Sequence, residues 1–137
     1  GSMDMEPDVR ITNLNLHKGH RVEVRGRIAK GTNRFAVDLG TDSRNLICHC
    51  NPRFEYSVDK NTIVLNSKQN DVWDIEKKET AFPFKSGSET MLIFDFEDCI
   101  TVHLPDGKEI PFTCRFPIEV INYLALNNIE LISISVH

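Results

Sequence analysis

The chemistry in this chain is concentrated in His49-Cys50-Asn51-Pro52-Arg53-Phe54. Successive side chains on a strand point to opposite faces. His49, Asn51 and Arg53 therefore share one face, and the same alternation assigns Leu46, Cys48 and Cys50 to the other. The first face offers an imidazole, a carboxamide and a guanidinium in a row. Such a row on an open sheet can grip a polyhydroxylated ligand, because it mixes donors with acceptors. Pro52 lacks a ladder N–H, so it suits a strand end or an edge. A second polar stretch follows, from Asn66 to Lys78. It contains Trp73, the only tryptophan, with Glu76 three residues on.

Together the two stretches read H-x-N-x-R-F, then N, then W-x-x-E-x-K. This resembles the galectins, whose pattern is H-x-N-x-R, then N, then W-x-x-E-x-R. Phe82-Pro83-Phe84, Leu104-Pro105-Asp106-Gly107 and Ile121-Asn122-Tyr123-Leu124 extend the likeness along nearly the whole chain after its leader. The resemblance implies an all-β jelly-roll sandwich of two antiparallel sheets, with a β-galactoside on the concave one. It implies that His49, Asn51 and Arg53 surround the axial 4-hydroxyl, that Trp73 stacks on the ring, and that Asn66 and Glu76 hold the 6-hydroxyl. Asp59 would brace Arg53, and Arg34 maps near the rim. Lys78 stands where the family usually has Arg, the residue that reaches the second sugar. A planar fork is replaced there by a flexible point charge.

The segments that carry these residues and their neighbours are short. Arg10–Leu16, Arg21–Ile28, Phe35–Gly40, the His49 stretch, Thr62–Asn66, Thr90–Phe96, Cys99–Leu104, Ile110–Phe112, Ile121–Leu126 and Glu130–Val136 read as strands. Lys18-Gly19-His20, Gly31-Thr32-Asn33, Thr41-Asp42-Ser43, Pro105-Asp106-Gly107 and Asn127-Asn128 read as turns. Pro117–Val120 reads as one short helical turn with Pro at its first position. Many short strands without a long helical period indicate a β-sandwich.

The chain has 137 residues and a formal net charge of −4, which suits one domain. Residues 1–9 read as tag remnant and flexible leader, and 10–137 as the carbohydrate-recognition domain. Lys and Arg are scattered, so no basic stripe argues for nucleic acid. No apolar run is long enough for membrane insertion, and no signal peptide is visible. The four cysteines read as buried reduced thiols, because Cys48 and Cys50 share a face and cannot wrap a tetrahedral metal. No metal or other cofactor is expected. These features suit a cytoplasmic origin; the resemblance adds signal-peptide-independent export.

The function expected is non-enzymatic binding of lactose- or N-acetyllactosamine-type β-galactosides on glycoproteins or glycolipids. The alternative is a structural or protein-interaction protein of the same fold with weakened or lost sugar binding. Asp59, Asp74 and Glu76 could supply a glycosidase carboxylate pair, but lectin roles account for these positions better. A homodimer through the terminal strands is expected, with Ile132, Ile134 and Val136 facing the core and Ser133 and Ser135 outward. Arg10 opposes this pairing, since a charge on an edge strand discourages it.

Overall fold

The computed structural model describes residues 5–137. In chain order the strands are β1 (Val9–His17), β2 (Arg21–Ile28), β3 (Ala36–Asp42), β4 (Asn45–Tyr56), β5 (Asp59–Gln69) and β6 (Val72–Trp73). They continue as β7 (Lys77–Glu79), β8 (Glu89–Phe96), β9 (Cys99–His103), β10 (Glu109–Thr113), β11 (Val120–Asn127) and β12 (Ile129–Val136). One sheet runs β1-β11-β3-β4-β5-β6, with β7 also on β5; the other runs β10-β9-β8-β2-β12. The described pairings are antiparallel. The expected sandwich of two antiparallel sheets is therefore present.

Alternation builds the core. In β8, Leu92, Phe94 and Phe96 are buried while Met91, Ile93 and Asp95 are only half-buried on the opposite face. They meet Val37, Leu39, Ile47, Ile63, Leu65 and Leu126 from the other sheet. Phe35, Phe54, Phe82 and Phe84 pack edge-on or tilted, with centroids 5.1–6.4 Å apart, and close one end of the sandwich. Burying a ring of this size stabilises the fold by about 1.5–3 kcal/mol. Cys48 and Cys50 lie in the same core, and all four cysteines are free. Burial pushes the Cys50 thiol up to about 12.

The alternation predicted for the His49 strand needs one correction. Leu39 pairs with Cys48 but Gly40 pairs with Leu46, so Ile47 is an extra residue in β4. This bulge turns Ile47 into the core and Leu46 onto the outer face, against Tyr123, Ala125 and Trp73. A bulge shifts the register by one and so exchanges faces. Gly40 makes the geometry possible, because a Cβ there would lie 2.0 Å from the Asn45 carbonyl oxygen.

Pro52 also differs from expectation, lying well inside β4 opposite Ile63 of β5. Its other side faces Phe35, just before β3 begins, where Phe35 N–H donates to the Pro52 carbonyl at 3.1 Å. The return bond, which Pro cannot donate, is replaced by the Asn51 side chain. Its Nδ2 donates to the Phe35 carbonyl at 2.8 Å.

Pro117–Glu119 forms no helical turn. Ile118 of this segment is buried in the core. At the other end, the expected leader lies partly outside the described residues. Within them, Asp8 N–H donates to the Leu126 carbonyl at 2.9 Å, and Asn127 Nδ2 donates to the Glu6 carbonyl. Strand β1 begins at Val9, one residue before the expected boundary.

Candidate functional site

The outer face of the seven-stranded sheet gathers the predicted residues. β4 supplies His49, Asn51 and Arg53, and β5 sets Asn66 directly opposite His49. β7 places Lys78 opposite Val64, which is itself paired to Asn51. β6 brings Trp73 over the His49 ring, with centroids 4.7 Å apart at 58°. Trp73 is only partly buried, outside the sandwich core, against Leu46, Tyr123 and Ala125.

Each polar side chain is held in one orientation. Arg53 is 3% exposed, so its charge must be neutralised locally. Its Nη1 donates to Asp59 Oδ2 at 2.7 Å, its Nε donates to Asn51 Oδ1 at 3.0 Å, and Glu76 lies 3.7 Å from Nη2. Asn51 is thus pinned at both ends, by Arg53 and by the Phe35 carbonyl. Lys78 Nζ donates to Asp59 Oδ1 at 2.8 Å and stands 3.9 Å from Glu76. Burial raises the Asp59 pKa, but the hydrogen bonds from Lys78 and Arg53 overcome it and hold the carboxyl below its ordinary value. Arg34 sits at the rim with its guanidinium 3.7 Å from the Tyr56 ring centre, beside Arg53.

Three contributors were not singled out from the sequence. Asp38 on β3 binds His49 Nδ1 at 2.5 Å. A lone carboxylate between Val37 and Leu39 was the available signal, since alternation sends it to the polar face. Arg115 donates to Asn66 Oδ1 at 2.9 Å and lies 3.9 Å from Asp74. It arrives from the segment after β10, 49 residues away in sequence, and nothing local marks it. Tyr56 lies under Arg34, with the Arg53 guanidinium 5.0 Å from the same ring centre. Asn66 also donates to the Asp74 carbonyl at 3.0 Å, which ties β5 to the loop carrying Trp73.

The result is a face that joins the His49 imidazole, the Asn51 and Asn66 amides, the Arg53 guanidinium, the Lys78 ammonium, the Glu76 carboxylate and the Trp73 indole. Beside it a cavity of about 360 Å³ continues past Leu46, Tyr123 and Arg44. Among the described residues no group of His, Cys, Asp or Glu is arranged to hold a metal ion.

Comparison with known proteins bears on this arrangement. The galactoside-binding lectin family profile matches residues 8–136. Mouse galectin-1 is 45% identical over 115 residues, which is 83% of this chain and 85% of that protein. The structure of toad ovary galectin in complex with thio-digalactose superposes with a TM-score of 0.93 at 37% identity, covering 97% of this chain and 100% of that one. CG-16, a homodimeric agglutinin from chicken liver, superposes with a TM-score of 0.89 at 33% identity, over 94% of this chain and 98% of that one.

Proposed function

This chain belongs to the galectins, the galactoside-binding lectin family, and we propose that it is a non-enzymatic lectin binding lactose- or N-acetyllactosamine-type β-galactosides on the site described above. The carrying observation is the convergence of His49, Asn51, Arg53, Asn66, Trp73 and Glu76 on one sheet face. Galactose differs from glucose by its axial 4-hydroxyl. With that hydroxyl turned towards His49 and Arg53, the opposite C–H patch of the ring is left for Trp73. Asn66 and Glu76 take the 6-hydroxyl, and the second sugar lies towards Glu76 and Lys78. The complex of toad ovary galectin with thio-digalactose supports the galactoside reading, as does the shared fold. Asp59 acts behind the site by orienting Arg53.

The affinity is modest. At about −0.3 kcal/mol per heavy atom, a disaccharide of roughly 23 heavy atoms gains at most about −7 kcal/mol, or about 10 μM. An open face excludes less water and weakens this further. Useful avidity therefore needs more than one site per particle. We propose a homodimer through β1 and β12, which each lie at one edge of their sheet, as supported by the homodimeric chicken agglutinin. Cytoplasmic synthesis followed by export without a signal peptide completes the family reading.

The test is a fluorescence titration with lactose, in which Trp73 is the sole indole reporter. A saturable change with lactose and none with sucrose or maltose is expected, and Arg53→Ala abolishes it in a folded protein. No response to millimolar lactose overturns the reading. It would favour the structural alternative, in which the hold of Asp59 on Lys78 at 2.8 Å removes a sugar contact.

A further inference from the structure

His49 makes only half of the hydrogen bonds it can make. Its Nδ1 lies 2.5 Å from Asp38 Oδ1. Its Nε2 is buried and has no partner among the described residues. The ring is 2% exposed and the Asp38 side chain 13% exposed. A buried polar atom left without a partner costs stability, so a ligand group that meets it gains what the free protein lacks.

The direction of that missing bond follows from Asp38. An ionised carboxylate has lone pairs and no proton. The hydrogen of the short Asp38–His49 bond must therefore sit on Nδ1. While the ring is neutral, that is its only proton, and Nε2 is then an acceptor. Arg53 is fixed in the opposite sense, because a guanidinium only donates. Its Nε is already spent on Asn51 and one Nη1 hydrogen on Asp59, and its remaining N–H groups can only donate. A hydroxyl held between His49 and Arg53 must accept from one and donate to the other.

We propose that Asp38 is a specificity-determining positioning residue: it holds His49 as the Nδ1–H tautomer, so that Nε2 accepts and the site selects a galactoside hydroxyl able to donate. This rests on the lectin reading for the identity of the hydroxyl, the axial 4-hydroxyl of galactose. The tautomer assignment itself needs no ligand. A group of the same size that only accepts, such as fluorine, satisfies Arg53 and leaves His49 Nε2 without its bond. Asp38 thereby acts on sugar selection without touching the sugar.

The experiment has two readouts. Long-range proton–nitrogen correlation spectra of the uniformly labelled full chain at neutral pH report which ring nitrogen of His49 is protonated, with His49→Gln supplying the assignment. The expected result is a protonated Nδ1 and a bare Nε2. Calorimetry then compares lactose with its analogues bearing fluorine or hydrogen in place of the galactose 4-hydroxyl. In the wild type the fluoro analogue falls by roughly tenfold, and the deoxy analogue, which meets neither His49 nor Arg53, falls further. In Asp38→Ala, Nε2 gains proton occupancy, lactose weakens by about tenfold, and the gap between lactose and the fluoro analogue narrows. Should Asp38→Ala fold poorly, the wild-type spectra still decide the tautomer. A protonated Nε2 in the wild type overturns the proposal, as does equal binding of the fluoro analogue and lactose. Failure of lactose itself to bind the wild type sinks the lectin reading and the selectivity drawn from it, while a bare Nε2 in the same spectra would still uphold the role of Asp38 in setting the tautomer.

Discussion

At the scale of single residues, the departure at Lys78 has a structural explanation. Its ammonium is drawn to Asp59 at 2.8 Å and stands 3.9 Å from Glu76. A guanidinium can bond two groups at once through its planar fork, whereas an ammonium is a point charge. Lys78→Arg is therefore expected to tighten lactose a few-fold, the worth of one added hydrogen bond of about 0.5–1.5 kcal/mol. Free galactose is expected to stay unchanged, because on the proposed placement it does not reach this position; calorimetry with both sugars makes the comparison. Asp59 sets a second expectation. Its pKa is lowered in the folded protein by Lys78 and Arg53, against the effect of burial. Its contribution to stability is fully present above the unfolded value of about 3.9 and is lost as pH falls through the lower folded value. Asp95, held down chiefly by the Arg21 hydrogen bond, loses its share in the same direction. Thermal midpoints measured down to pH 2 should fall in that window, and Asp59→Asn should flatten part of the fall.

At the scale of elements, the bulge between β3 and β4 is the device that builds the face. It places Leu46 beside Trp73 while Ile47 fills the core. A methyl at Gly40 would meet the Asn45 carbonyl at 2.0 Å and the Leu46 Cα at 2.8 Å. Both are backbone atoms that cannot rotate away. Gly40→Ala is expected to cost about 1–3 kcal/mol of stability and to weaken lactose binding, since His49 lies three residues from the displaced segment. Phe94→Ala on β8, fully buried in the other sheet, should cost about 3–5 kcal/mol and leave the affinity of the folded fraction unchanged. Denaturant unfolding paired with lactose titration separates the two outcomes: a Gly40 variant that binds normally would show that the bulge does not position the site.

At the scale of the whole molecule, the terminal strands carry the proposed dimer interface, which would set how many sites one particle carries. β12 breaks register between Leu131 and Ser133. This bulge alters the alternation expected for its apolar residues. Leu131 and Ile134 pack against the core, while Ile132 is 44% and Val136 47% exposed. An exposed apolar strip on an outer strand is a surface for self-association. Arg10 on β1, half-exposed beside Glu6, works against it. Light scattering at high micromolar concentration should give a dimer mass, and Val136→Asp should shift it to a monomer. Lactose affinity per site should be unchanged by that substitution, while agglutination of galactoside-coated particles is lost. A monomeric wild type would rule out this assembly.

The sequence alone determined what depends on local geometry. Alternation along a strand is a property of the backbone, so His49, Asn51 and Arg53 had to share a face once that stretch was extended. Turn chemistry is equally local, and Pro105-Asp106-Gly107 does turn, with Gly107 at φ 88°. The identities and spacing of Asn66, Trp73, Glu76 and Lys78 were legible for the same reason, through their resemblance to one family. Tertiary structure decided whatever required a partner distant in sequence. Leu46 changed faces because Gly40, on the neighbouring strand, admits a bulge. Pro52 could sit inside a sheet because β3 begins only beyond it and Asn51 supplies the missing donor. Asp38 and Arg115 entered the site from other segments. Lys78 took Asp59 as its partner through the packing of β7 against β5. Strand periodicity fixes which way a side chain points, but the group it meets is set by lateral pairing, which no stretch of sequence contains by itself.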